Sequence, residues 1–297
     1  MQKKFIQVVL KFILPLIVAL VVVSFVLKKS VNQRCSYKLN SSITTLILGH
    51  SQPEHAFNDS LLKNTKNLCN GGEAYVYTYQ KLKKVTAENP QVKTVLLSFS
   101  NNQIEEKMDD WTFGEKSMYQ YYAKYSFMMD NDDYLLFIKN SFRNLLSAEL
   151  KGMVMNFKYA YKGQNRLAIN DFGCYLYSKR NKVDSLLAKN YKEDLKNNTK
   201  NKVSEVNIDY LKRIVQLCKE KHLKLVFIRT PIHPKFFETL DETKFQGLRK
   251  EKFNAIPFID LHSFPLKNSE FGDFDHLNYK GAIKVSKYLN TLLNSET

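Results

Sequence analysis

Cysteine is scarce in this sequence: four among 297 residues, at Cys35, Cys69, Cys174 and Cys218. No two are close enough in sequence to form a zinc knuckle or a redox pair. One or two disulfides would suit a domain outside the cytoplasm, and nothing in the sequence requires them. Cys35 follows Asn32-Gln33-Arg34, which is not a lipobox, so it is no lipoprotein cysteine. The histidines lack HExxH-like spacing, so we expect no metal and no other cofactor. Acidic residues are also short, with Asp+Glu 29 against Lys+Arg 45 and a net charge of +16. Such an excess suits nucleic acid or an anionic membrane surface. The lysines are spread along the whole chain, without a dense basic block or a nucleic-acid motif. Nucleic acid is therefore not an expected partner.

What the sequence does contain begins with a long apolar run. Phe12 to Leu27 is apolar apart from Ser24, and Phe5 to Leu10 extends it, with Gln7 and Lys11 as interruptions. About 20 apolar residues span a bilayer. Lys11 can snorkel to the near interface, and Pro15 is tolerable near the entry. A cleavable signal peptide would have a shorter apolar region ending in small residues. Here Val26-Leu27 runs straight into Lys28-Lys29. We expect an uncleaved single-pass membrane anchor over residues 1–29 and a polar linker over 30–42. Lys3 and Lys4 face Lys28 and Lys29 across the run, so charge alone does not orient it.

A hydrophobic content of 44% allows a substantial core in one large domain or two small ones. From residue 43 the sequence alternates strand-like and helix-like stretches. Strands are predicted at Thr44–Leu48, Asn67–Cys69, Thr94–Phe99, Leu223–Ile228 and Phe258–Leu261. A short helix is predicted around Leu61-Leu62, and a longer one from Glu73 to Asn89, ending before Pro90. Ile208, Leu211, Ile214, Val215 and Cys218 keep helical spacing, and Ala282 to Leu293 marks a final helix. Strands alternating with helices imply an α/β three-layer sandwich around a mostly parallel five-stranded sheet. The stretch 104–204 breaks the pattern. It is rich in tyrosine, phenylalanine and methionine and reads as a mostly helical insertion that caps the site, with most of its aromatics in the core. Asp184 to Ser204 is polar and lysine-rich, and reads as an exposed helix or loop.

In such sheets sites form at the carboxyl ends of the strands. Gly49-His50-Ser51 follows the first strand, Gly71-Gly72 the second, Asn101-Asn102 the third and His233 the fourth. Asp273-Phe274-Asp275-His276 precedes the last helix. A serine hydroxyl is a poor nucleophile until an imidazole takes its proton. Ser51, His276 and Asp273 supply nucleophile, general base and an acid to orient the base. The three-residue offset favours Asp273 over Asp275 for that last role.

The ordered set of serine, glycine, asparagine and histidine resembles the SGNH/GDSL hydrolase superfamily. The resemblance runs from about Thr44 to Leu293, leaving out the insertion. It points to membrane-anchored members of Bacteroidetes type and, more distantly, to the polysaccharide O-acetyltransferases and esterases and the D-alanine transfer proteins. It implies Ser51 as nucleophile, His276 as base and Asp273 as the orienting acid. It also implies an oxyanion hole from the backbone N–H groups of Ser51 and of Gly71 or Gly72, completed by the amide of Asn101 or Asn102. The serine's place at a helix start, with Pro53 in the first turn, points its N–H outward near a positive helix end. The usual acidic residue before the serine is His50 here, which departs from the ordinary esterase pattern. His50, His233 and Trp111 are candidate substrate contacts, each with an equally simple packing role. His55 and His262 read as structural or exposed.

The resemblance implies an ester hydrolase or O-acyltransferase on the extracytoplasmic, periplasmic side. Its expected substrate is an ester, such as an acetyl group on a cell-envelope glycan, and a membrane-bound acyl-donor protein is a candidate partner. A non-catalytic accessory of envelope polysaccharide assembly or export, keeping the same fold, is the alternative.

Overall fold

The structure is a computed structural model that describes residues 2–162, 168–189 and 202–295. The chain divides into two units. One holds Tyr37–Thr112 and Ile169–Thr297, and the other holds Met1–Ser36 and Phe113–Ala168.

The first unit is α/β. Its strands are β1 (Thr45–Leu48), β2 (Thr65–Asn67), β3 (Thr94–Ser98), β4 (Lys224–Arg229) and β5 (Phe258–Asp260). They pair in the order β2-β1-β3-β4-β5, and every pair is parallel. The expected five strands are all present, and the sheet is wholly rather than mostly parallel. Numbered along the whole chain, the helices of this unit are α2 (Ser51–Ala56), α3 (Tyr75–Glu88), α4 (Asn101–Ile104), α5 (Met108–Phe113) and α8 (Val183–Ala188). They continue with α9 (Glu205–Glu220), α10 (Pro234–Phe237), α11 (Glu242–Lys252) and α12 (Tyr279–Ser295).

The inner strands are apolar without alternation because both faces are buried. Ile47, Leu96, Val226 and Ile228 pack in one cluster with Ala56 of α2, Phe57, and Val285 and Leu289 of α12. Side chains alternate along a strand, so Leu46, Leu48, Val95, Leu97 and Phe227 point to the opposite face, and all are fully buried. α9 packs against α3 and β4. Its residues Ile208, Leu211, Ile214 and Cys218 are buried, as their spacing requires.

The strand order reverses between β1 and β3. The chain leaves β1 for β2 on one side, then returns to the other side for β3. In parallel sheets the crevice beyond the carboxyl ends of two such strands is where ligands bind. Ser51 follows β1, and Asn101 follows β3.

Two short elements differ from the sequence reading. β2 lies two residues before Asn67–Cys69. Leu68 and Cys69 are fully buried, and Leu68 still donates to the Ile47 carbonyl at 2.9 Å. The Cys69 N–H, however, turns to Asn67 Oδ1 at 2.8 Å. Asn67 holds this bend, because its own amide donates to the carbonyls of Pro53 and Phe57 at 3.0 and 2.7 Å. The helix expected at Leu61-Leu62 is a single 3₁₀ turn, Asp59–Leu61. α11 was not expected at all: only Phe245 and Leu248 of its eleven residues are buried, too few to mark an apolar stripe.

The expected insertion at 104–204 is divided. Ile169–Lys189 belongs to the α/β unit, with a 3₁₀ turn at Ile169–Phe172 and helix α8 as its regular structure. Of the polar stretch from Asp184 to Ser204, residues 190–201 lie outside the described residues.

The second unit is helical, with α1 (Gln2–Arg34), α6 (Glu115–Tyr125) and α7 (Asn131–Lys162). Gln7–Arg34 is long and apolar enough to cross a membrane, and its apolar side chains from Phe12 to Val26 stay exposed. The helix also continues through residues 30–34 of the expected linker. Met118, Tyr121, Tyr122 and Tyr125 of α6 are buried, as expected for core aromatics. α7 bends at Ser141, whose φ of −160° and ψ of 61° are not helical.

Candidate active site

β1 ends at Leu48, and Gly49 follows with φ +151°. A Cβ there would lie 2.3 Å from Ser98 Cβ at the end of β3. Only glycine lets the two strand ends approach so closely. His50 then caps α2, with its Nδ1 accepting the Gln52 N–H at 3.4 Å. Ser51 is thereby set at the first position of a helix, directly beyond the sheet.

The loop before the last helix brings the partner groups. Ser51 Oγ lies 2.8 Å from His276 Nε2, and His276 Nδ1 lies 2.9 Å from Asp273 Oδ1. The same Asp273 oxygen accepts the backbone N–H groups of His276 and Asp275 at 2.9 and 3.2 Å. Its other oxygen pairs with Arg180 at 2.8 Å. Asp273 is thus fixed by four donors. Asp275, set aside on spacing, also reaches His276 Nδ1, at 3.0 Å. The structure therefore joins Ser51, His276 and Asp273 in one chain and adds a second carboxylate to the ring.

Burial works against a charge on His276, but hydrogen bonds to Asp273 and Asp275 outweigh it and raise its pKa to about 10. Burial works against the charge on Asp273 as well, but hydrogen bonds from His276 and Asp275, helped by Arg180, hold it well below the usual carboxylate range. A general base must be neutral to accept a proton. With a pKa near 10 the neutral imidazole appears only as pH climbs through the alkaline range. Any Ser51-dependent rate should therefore rise with pH well past neutrality. Asp275→Asn removes one of the groups that raise His276, so the rising limb should move to lower pH. A pH–rate profile of both proteins on p-nitrophenyl acetate checks this, and an unmoved limb would remove Asp275 from the ring's environment.

The glycine pair separates into two roles. A Cβ on Gly71 would lie 3.6 Å from Ser51 Cβ and 3.0 Å from Glu54 Oε2, so Gly71 is the glycine beside the serine. Its N–H donates to the Glu54 carboxylate. Burial pushes Glu54 up to about 7, against the pull of that N–H and of Lys81. Gly72 has φ +74°, and a Cβ there would meet the Trp111 ring at 2.4 Å. Trp111 is 42% exposed and so covers this turn while presenting its ring to solvent. Beneath the turn, Glu73 and Lys81 form a fully buried ion pair at 2.8 Å. Lys81 also donates to the carbonyls of Leu68 and Phe172, which satisfies a charge that would otherwise be costly to bury.

The two asparagines also differ. Asn101 accepts from the buried Arg229 at 3.2 Å and donates weakly to the Asp241 carbonyl and Glu242. Arg229 is itself held by Asp260 and Glu242. Asn101 is thus absorbed into a buried charge network at the end of β4. Asn102 Oδ1 is buried without a hydrogen-bond partner. Both asparagines line one small pocket with Gln52, Ser100, Arg229 and Ile232.

The remaining histidines are placed as follows. His50 is buried, its Nε2 lies 3.1 Å from Ser100 Oγ, and burial lowers its pKa to about 3, with the charge on His276 adding to the effect. It ties β1 to β3 as a neutral ring. His233 caps α10, meets Asn268 at 3.2 Å and packs its ring on Phe271 and Phe274. It thereby braces the loop that carries Asp273. His262 bonds Asp260 at 2.9 Å, in the Arg229 network. His55, structural or exposed by its sequence context, has its ring edge-on to His276 with centroids 5.1 Å apart. Burial and then the charge on His276 lower its pKa to about 4. Glu54, His55 and Arg180 are the residues that sequence reasoning missed. The first two had a signal, since positions three and four after Ser51 share its helix face. Arg180 had none.

Asp273, Asp275 and His276 are also the group of acidic and histidine ligand atoms that could hold a metal among the described residues, all within 4.8 Å of one another. A cation there would compete for the Nδ1 atom that both carboxylates use to orient the ring.

A family model matches residues 81–297. The chain belongs to that uncharacterised family. The match covers Asn101, Asp273 and His276 and begins after Ser51 and Gly71-Gly72. No curated protein matches the sequence.

Proposed function

We propose that this protein is a serine-dependent, SGNH-like esterase or O-acyltransferase. α1 anchors it in a membrane, and its α/β unit works on the extracytoplasmic side. Its substrate is an ester, an acetyl group on a cell-envelope glycan. The observation that carries this reading is the unbroken chain from Ser51 Oγ through His276 to Asp273 at the sheet's switch point. In the proposed reaction Ser51 Oγ attacks the ester carbonyl while His276 Nε2 takes its proton. The oxyanion is met by the N–H group of Ser51 and by that of Gly71, which Glu54 must first release. The ester C–O bond then breaks, and His276 returns the proton to the leaving oxygen. Water or a glycan hydroxyl next attacks the acyl-enzyme, with His276 again taking the proton; the acyl–Oγ bond then breaks, and His276 returns that proton to Ser51 Oγ. The acceptor decides between hydrolysis and transfer, and for transfer the donor is a membrane-bound acyl carrier.

In this reading Asn102 supplies the side-chain donor, because Asn101 is committed to Arg229. Asn102→Ala should lose about 100- to 1000-fold in turnover, the usual worth of one oxyanion donor. Asn101→Ala should act mainly on thermal stability, read by circular dichroism. The reverse pattern would return the role to Asn101.

Two observations favour the accessory reading instead: Glu54 occupies the Gly71 N–H, and Asn101 is turned away into the Arg229 network. The experiment that separates the readings uses the full-length protein with an O-acetylated envelope polysaccharide. Release of acetate, or acetyl transfer to an added glycan, above the Ser51→Ala background supports the enzyme. Neither activity at any pH from neutral to strongly alkaline supports the accessory.

A further inference from the structure

α7 presents an apolar face that nothing among the described residues of its unit covers. Beyond the bend at Ser141, Phe142, Leu146, Leu150 and Val154 recur every four residues and are between 47% and 62% exposed. Residues four apart stack along one side of a helix. The opposite side is buried: Leu145, Ala148 and Asn156 are within the unit, and Gly152 sits against Ala123 of α6. The face is flanked by exposed Arg143, Lys151 and Lys158. Between Phe142 and Lys158 the one acidic residue is Glu149, and it is taken by α1.

That last contact fixes the level of the stripe. Ser24 donates to Glu149 at 2.9 Å, and Lys28 pairs with the same carboxylate. Glu149 stands between Leu146 and Leu150. Ser24 and Lys28 stand where the exposed apolar run of α1 ends, at Val26. The middle of the α7 stripe is thus level with the place where α1 passes from hydrocarbon to water. An amphipathic helix with a basic rim and large apolar side chains lies in the plane of such an interface.

We propose that the Phe142–Val154 face of α7 lies in the membrane–water interface beside α1, with its basic flank on anionic lipid headgroups. The inference rests on α1 entering the bilayer. It makes the helical unit a two-point membrane attachment, one helix across and one along the surface.

The test uses full-length protein in nanodiscs of phosphatidylcholine and phosphatidylglycerol. The chain has one tryptophan, Trp111, which supplies the background emission. Leu146→Trp and Leu150→Trp report on α7, and Val18→Trp reports on α1. Lipids brominated near the headgroup end of the acyl chain should remove roughly half of the emission added at 146 and 150, as expected for burial about 5–10 Å deep. Lipids brominated at the bilayer centre should quench Val18→Trp most and the α7 reporters least. If Val18→Trp is quenched while both α7 reporters keep their emission, α7 faces water or protein, and the proposal fails. Two copies per disc in that case would assign the face to a second chain. Central quenching of the α7 reporters as strong as that of Val18→Trp would place α7 across the bilayer and also overturn the proposal. An unquenched Val18→Trp overturns the membrane reading of α1, and the α7 proposal with it.

Discussion

Ser51→Ala should abolish ester turnover, with a loss of about 10⁶-fold if the serine and histidine act as a unit. The expectation follows from the 2.8 Å contact between Ser51 Oγ and His276 Nε2. The cost to the fold should be small. Ser51 is half-buried at the start of a six-residue helix, and losing one hydrogen bond costs about 1 kcal/mol. Turnover measured on p-nitrophenyl acetate, beside a thermal melt of the same sample, separates the two effects. A mutant that melts normally and keeps its activity would remove Ser51 from the chemistry.

Asp273→Asn should be the next most damaging change, at about four orders of magnitude near neutral pH. Asp273 accepts from the imidazole and from two backbone N–H groups and pairs with Arg180. An amide cannot replace all of these acceptor contacts, and it can turn the ring to the wrong tautomer. Asp275→Asn should cost far less in rate, because Asp275 touches the ring at 3.0 Å without the same anchoring. Its mark should be the displaced alkaline limb. If Asp275→Asn proves the more damaging of the two, the orienting role passes to Asp275.

The placement of the candidate site residues was more legible in the sequence than that of their surroundings. Ser51, Asp273 and His276 each stand at the end of a strong local signal: an apolar strand broken by glycine, or a short polar motif before an amphipathic helix. Residues of that kind are placed by their own neighbours in sequence. β1, β3 and β4 were legible for the same reason, since a buried parallel strand is an apolar run. The rest depends on contacts between distant segments. Arg180 reaches Asp273 from a stretch of little regular structure that read as part of a helical insertion. Asn101 and Asn102 looked equivalent until the buried Arg229, more than a hundred residues later, claimed one of them. Gly71 and Gly72 looked equivalent until Glu54 and Trp111 took opposite sides of the turn. β2 ended early because the Asn67 side chain redirects the backbone, and a side-chain amide that serves its own chain leaves no periodic trace.

The proposed function stands or falls with Ser51 as an activated nucleophile. The most direct measurement is labelling of the full-length protein with a fluorophosphonate probe, followed by mass spectrometry of the modified peptide. One adduct is expected, on Ser51, forming faster as pH rises through the alkaline range and absent in Ser51→Ala. No adduct at any pH, or an adduct on another residue that persists in Ser51→Ala, would contradict it.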